Sequence, residues 1–170
     1  MIFSLSRTDM ISRLDELADV LEDCVNGGAS VSFMQPFSRD TASAFWHNVA
    51  RSVAEDERVV FAAEDDSGRI VGTVQLITAQ PENQPHRAEV AKLLVHQRGR
   101  RKGIARELMA HLEQVARQRG KSLLVLDTAS GSGAETFYVQ CGWQKVGEIP
   151  RFAMMPDGQY CATSLFYKFV

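Results

Sequence analysis

The chain has 170 residues, 45% of them apolar and 24% charged, with a formal net charge of −2. That length supports one domain with a substantial core, and the near-neutral balance argues against a dedicated nucleic-acid binder, which carries a broad basic field. No apolar run approaches the roughly 18–20 residues of a membrane span, and Met1 to Arg7 lacks the basic start and long apolar stretch of a signal peptide, so a cytoplasmic protein with no membrane partner is expected.

Leu14, Leu17, Val20, Leu21 and Cys24 recur at helical spacing until Gly27-Gly28 stops the pattern. Ala29 to Met34 alternates and ends before Pro36, which predicts a loop or a short extended segment. Thr41 to Val53 reads as a second helix, with Phe45, Val49 and Val53 on one stripe. Val59 to Glu64 and Ile70 to Thr78 are β-rich runs joined by Asp65-Asp-Ser-Gly68, a hairpin pattern. Ala88 to Val95 is the next strand. It feeds a basic turn and then a helix from Ile104, with Ile104, Leu108, Leu112 and Val115 on one face and Gly120 at its end. Ser122 to Asp127 is almost wholly apolar, as in a central strand covered on both faces. Ala134 to Cys141 is a short helix, and Trp143 to Ile149 and Ser164 to Val170 read as final strands around a Pro156-Asp-Gly turn. The resulting order, α-α-β-β-β-α-β-α-β-β, predicts a mixed α/β sheet. No repeats or long linkers divide the chain. Cys24, Cys141 and Cys161 are widely spaced and form no metal pattern, which predicts reduced thiols and leaves Cys141, beside Gly142, open as a nucleophile. His47, His86, His96 and His111 lack the partners of a metal site and read as surface or structural, so no metal is expected.

The most informative stretch is the turn Val95-His-Gln-Arg-Gly-Arg-Arg-Lys-Gly-Ile-Ala105 between a strand and a helix. Free amides at a helix start, with fixed cations around them, suit a phosphorylated ligand. An ATPase P-loop fails, because Lys102 is followed by Gly103 and Ile104 rather than Ser or Thr. The dinucleotide fingerprint fails as well, since Gly99 and Gly103 do not complete GxGxxG. What remains, Arg100-Arg-Lys-Gly-Ile-Ala105, fits Gln/Arg-x-x-Gly-x-Gly/Ala. Small residues at 103 and 105 let the backbone approach a pyrophosphate, and Arg100, Arg101 and Lys102 can neutralise it.

With this motif the sequence resembles the Gcn5-related N-acetyltransferases, in which it binds the pyrophosphate of acetyl-coenzyme A. The resemblance runs from about Val59 to Val170 and includes Ala134-Glu-Thr-Phe-Tyr-Val-Gln-Cys-Gly-Trp143. It implies one N-acetyltransferase domain over 1–170, a mixed and mostly antiparallel sheet of six to seven strands splayed at the acetyl-CoA site, and four flanking helices. It also implies cosubstrate contacts from Leu93, Leu94, Val95, Arg100, Arg101, Lys102, Gly103, Ile104 and Ala105. Gly27 to Met34, Arg87 to Val95, Leu126-Asp-Thr128 and Pro156-Asp-Gly158 look like the tabtoxin-resistance type of this family. That likeness implies a small acceptor bearing an amine or hydroxyl, such as a β-lactam amino-acid toxin, and a resistance role. Dimers are common in the family, so a homodimer is compatible with it.

Acetyl transfer requires a neutral amine, and an alkyl ammonium with a pKa near 10 needs a base. Glu89 and Asp127 are the candidates, without a choice between them. Glu89 could instead be an exposed strand residue paired with Arg87 or Lys92, and Asp127 a turn carboxylate. Closing an apolar strand, Asp127 should be partly desolvated. The resemblance makes Tyr138 the acid that protonates the departing thiolate, though Phe137 and Tyr138 would also serve as core aromatics. A backbone amide near Leu94 or Val95 would stabilise the thioester oxygen if the strand bulges there. Leu93, Leu94 and Val95 do break strict alternation, but a strand buried on both faces reads the same way. Phe33, Met34, Trp46 and Phe152 could line an acceptor pocket or simply pack. Two other functions use the same motif: acetylation of a protein or peptide, and coenzyme A binding without catalysis.

Overall fold

The computed structural model describes residues 1–170. Its elements are, in chain order, β1 (Ile2–Leu5), α1 (Arg7–Ser12), α2 (Leu14–Asn26), α3 (Arg39–Ala54), β2 (Arg58–Glu64), β3 (Ile70–Ile77), β4 (Arg87–Val95), a 3-10 turn (Gln97–Gly99), α4 (Ile104–Gln118), β5 (Leu123–Ala129), α5 (Gly133–Gln140), β6 (Gln144–Met154) and β7 (Tyr160–Phe169). The strands form one sheet in the order β1-β2-β3-β4-β5-β7-β6. Every neighbouring pair is antiparallel except β4 and β5.

Two elements exceed the expected set, and the helices number five rather than four. β1 is four residues long and exists by pairing with β2, from Ile2 opposite Ala63 to Leu5 opposite Val60. A run that short carries no periodicity of its own. α1 is started by Ser6, whose hydroxyl accepts from Asp9 N–H while the Asp9 carboxylate accepts from Ser6 N–H, a reciprocal cap over one and a half turns.

Apolar alternation in β2 places Val60 and Ala62 on one face and Val59, Phe61 and Ala63 on the other, all buried. The first face is covered by α2 and α3 through Leu17, Val20, Leu21, Cys24, Trp46 and Val49. The second is covered by α4 and α5 through Leu108, Met109, Leu112, Ala116 and Tyr138. α2 therefore buries the stripe read from its sequence, and Gly28, at φ +95°, turns the chain out of it.

β5 departs from expectation: Leu124 and Leu126 are buried, but Leu123 and Val125 are only half covered and Asp127 is exposed. The reason is a gap in the sheet. β4 pairs with β5 only over Arg87–Leu123, Ala88–Leu124 and Glu89–Val125, after which the two strands part. β5 keeps its other neighbour, β7, over its full length from Leu123–Phe169 to Ala129–Thr163.

Candidate active site

Where the sheet opens, β4 carries a one-residue insertion. Thr73 faces Leu94 and Gln75 faces Ala91, so Lys92 and Leu93 together stand opposite Val74. Lys92 takes φ +56° to make this bulge. Its effect on the side chains is direct. Ala88 and Val90 pack on the α4 face, whereas Leu94, an even number of residues further on, packs on the α2–α3 face. The failed alternation at Leu93, Leu94 and Val95 is thus a bulge, located two residues earlier than Leu94.

Between the parted strands lies a cleft of about 890 Å³. One wall is β4 from Val90 to Val95, and the other is Asp127, Thr128 and Ala129 of β5 with Ser132, Gly133, Ala134, Phe137 and Tyr138. Gly27 to Ser32 and the β6–β7 hairpin complete the lining through Phe152 to Met155 and Cys161 to Thr163. Gln35 N–H donates to the Pro156 carbonyl at 2.9 Å, which joins the α2–α3 loop to that hairpin.

The predicted residues divide into those the fold brings to this cleft and those it does not. Leu93, Leu94, Val95, Arg100, Ala105, Asp127 and Tyr138 line it. Glu89 does not. It sits half exposed at the last β4–β5 pair, where Arg87 holds it at 3.1 Å, the pairing that the sequence left open. Asp127 is exposed rather than desolvated, because the departure of β4 uncovers that face of β5. Its carboxylate accepts from the Thr163 hydroxyl at 2.7 Å. Tyr138 is buried, and burial pushes its phenol up to about 12, with the Cys141 thiol and Asp127 adding to the effect. Phe152 lines the cleft, but Trp46 is fully buried core, Phe33 packs tilted against Phe37 and edge-to-face with Phe45, and Met34 points outward.

The basic turn sets open amides and cations beside the cleft. Arg101 at φ +63° and Gly103 at φ +77° reverse the chain into α4, whose first turn has no side-chain cap. Its leading amides are therefore open, with the positive end of the helix dipole behind them. Arg101 and Lys102 are exposed and make no ion pair, while Arg100 is turned back onto the Val95 carbonyl at 3.3 Å. Ile104 turns inward. Its side chain fills the space over Gly72 and Gly99, where an added Cβ would lie 3.0 and 3.1 Å from it.

Two features of the site were not foreseen. Asp19 and Asp23 of α2 hold the turn from below: Asp19 takes Arg98 at 3.0 Å, and Asp23 takes the Gln97 N–H at 2.9 Å. His96, buried here, accepts from Arg98 N–H at 3.2 Å and is structural. The other is Lys92 itself, which lines the cleft. Its one sequence signal is a charge interrupting the apolar run Val90 to Val95. Cys141 lies outside the cleft lining, and burial keeps its thiol above the usual range, against a nucleophilic role.

The model of the acetyltransferase (GNAT) family matches residues 17–143. The chain belongs to that family. An uncharacterized N-acetyltransferase of Azospirillum brasilense, from the hisH-hisA intergenic region, is 31% identical over 116 residues, 67% of each chain. N-acetyltransferase 8 of rat is 30% identical over 132 residues, and the match spans 60% of that longer protein. Among solved structures, a ribosomal-protein-alanine N-acetyltransferase of Brucella melitensis superposes with a TM-score of 0.79 at 21% identity, covering 100% of this chain and 99% of that one. The yncA structure of Salmonella typhimurium, solved with its cofactor acetyl-CoA, superposes with a TM-score of 0.78 at 16% identity, covering 99% and 92%. The protein is thus a GNAT acyltransferase that uses acetyl-CoA, and no helix in it is long and apolar enough to cross a membrane.

Proposed function

We propose that this acetyltransferase moves the acetyl group of acetyl-CoA directly onto the primary amine of a small molecule, within a ternary complex. The observation that carries this reading is that Asp127 and Tyr138 line one cleft from opposite faces of the sheet. Asp127 alternates with the buried Leu126, whereas Tyr138 packs on the α4–α5 face. The cosubstrate enters from the α4 side, with its pyrophosphate on the Arg100–Ala105 turn. The acceptor enters from the α2–α3 side.

The amine nitrogen attacks the thioester carbon, the carbon–sulfur bond breaks, and the acceptor's surplus proton leaves through water to Asp127. Negative charge builds first on the carbonyl oxygen, opposite the β4 backbone that lacks a β5 partner beyond Glu89. It then builds on sulfur. A phenol held up to about 12 is protonated at every physiological pH, so Tyr138 always has a proton to offer. Full transfer to a free thiolate, whose thiol has a pKa of about 8.5, is uphill. Tyr138 acts first as a hydrogen-bond donor that stabilises the leaving sulfur, and the proton follows from solvent.

The roof over the cleft favours a small acceptor. The α2–α3 loop, joined to the hairpin through Gln35 and Pro156, lines the cleft on the acceptor's side, which supports a small acceptor over an extended peptide. β-Lactam amino acids of the tabtoxin type, and with them a resistance role, fall within this class. The test is acetyl-CoA-dependent thiol release with a panel of amino acids, polyamines, aminoglycosides and short peptides. Turnover of small amines over peptides is expected. Preference for peptides would replace this reading with protein acetylation, and tight acetyl-CoA binding with no turnover on any amine would leave a binding module.

A further inference from the structure

Lys92 has no role in the chemistry above, yet the fold places it with care. It occupies the bulge where the sheet opens, in a left-handed conformation that lysine adopts at a cost. Its side chain projects to the α2–α3 face, where Nζ lies 3.3 Å from Ser32 Oγ and 5.9 Å from the centre of the Phe45 ring. It lines the cleft together with Asp127, and no carboxylate stands within ion-pair distance of it. Burial pulls its ammonium below the ordinary lysine range, and Asp127 pulls the other way. An aromatic face and a hydroxyl stabilise a cation but do not neutralise it. A partly desolvated ammonium that lines the cleft without a carboxylate of its own suits an anionic group on the molecule bound there.

We propose that the acceptor carries a carboxylate near its amine and that Lys92, with Ser32 beside it, binds that carboxylate at the roofed end of the cleft. This rests on the acetyltransferase reading and narrows its substrate to amino acids and their analogues. The arrangement is complementary: the acceptor's ammonium faces Asp127 and its carboxylate faces Lys92, so the zwitterion is oriented with its nitrogen toward the thioester. The cosubstrate's phosphates are an unsuitable occupant, since their cradle opens α4, which covers the opposite face of the sheet.

The test compares α-amino acids with their neutral α-carboxamides as acceptors, for the wild type, Lys92→Met and Lys92→Arg. A charge-assisted contact of this kind corresponds to about 10–100-fold in kcat/KM. The wild type should favour the acids by that factor. Lys92→Met should lose the preference, its KM rising far more for the acids than for the carboxamides, with the acetyl-CoA KM as the control. Lys92→Arg should restore part of it. Carboxamides acetylated as well as acids by the wild type would overturn the proposal while leaving the acetyltransferase reading intact. So would a Lys92→Met loss confined to kcat on both acceptors, or one that appears in the acetyl-CoA KM. Failure to acetylate any amine, with acetyl-CoA still bound, would overturn the acetyltransferase reading itself.

Discussion

Asp23 Oδ2 accepts the backbone N–H of Gln97 at 2.9 Å, across 74 residues of chain, and so fixes the end of α2 to the turn that opens α4. The same carboxylate approaches Arg100 at 4.0 Å and His96 at 3.7 Å. Replacing Asp23 by Ala removes this hydrogen bond from an exposed N–H that can turn to water, a cost of about 1 kcal/mol. Asp23→Ala should lower the melting temperature by roughly 2–4 °C per kcal/mol and weaken acetyl-CoA binding, with Asp23→Asn milder in both. Differential scanning fluorimetry and titration calorimetry measure the two effects. Unchanged acetyl-CoA affinity in a destabilised Asp23→Ala protein would show that the tether does not shape the phosphate cradle.

Gly103 is the position where α4's open amides are set. It sits at φ +77°, and an added Cβ would meet nothing within 4 Å, so strain alone decides a substitution there. Gly103→Ala should cost about 1–2 kcal/mol and reduce acetyl-CoA affinity, and Gly103→Asn should fall between, because asparagine tolerates the left-handed region better. The order Gly, Asn, Ala in calorimetric affinity is the expected result.

Tyr138→Phe removes the donor to the leaving sulfur and should reduce kcat by about 10²-fold with little change in acetyl-CoA binding. The phenol also makes a stability prediction. Its pKa is raised from 10.0 to about 12 by folding, so its contribution is full below pH 10 and is lost as pH rises from 10 toward 12. Cys24, pushed up to about 11, loses its contribution earlier, from pH 9. Wild-type stability should therefore decline across pH 9–12, and Tyr138→Phe should flatten the upper half of that decline in alkaline thermal denaturation. Equal declines in both proteins would contradict the buried, protonated phenol.

How far these features could be read beforehand depends on their range along the chain. The strand–turn–helix unit from Ala88 to Arg119 and the Ala134–Trp143 segment carry local signals, apolar period and glycine stops, and the structure forms both. The bulge at Lys92 was ambiguous for a physical reason: a two-faced buried strand and a bulged one give the same apolar run at Leu93, Leu94 and Val95. Glu89 and Asp127 looked equivalent as carboxylates on neighbouring strands. Only the point where β4 leaves β5 separates them, stranding Glu89 with Arg87 and opening the cleft at Asp127. The grip of Asp19 and Asp23 on the turn, and the pairing of β1 with β2, join residues distant in sequence and have no local trace.

Direct transfer between two bound substrates is the core of this account, and rapid acid quench during a single turnover with radiolabelled acetyl-CoA and a competent amine tests it most directly. Label should pass from acetyl-CoA to the acetylated amine with none retained on protein, and initial-rate plots should intersect. Label that appears on Cys24, Cys141 or Cys161 and chases into product at the rate of turnover would contradict it.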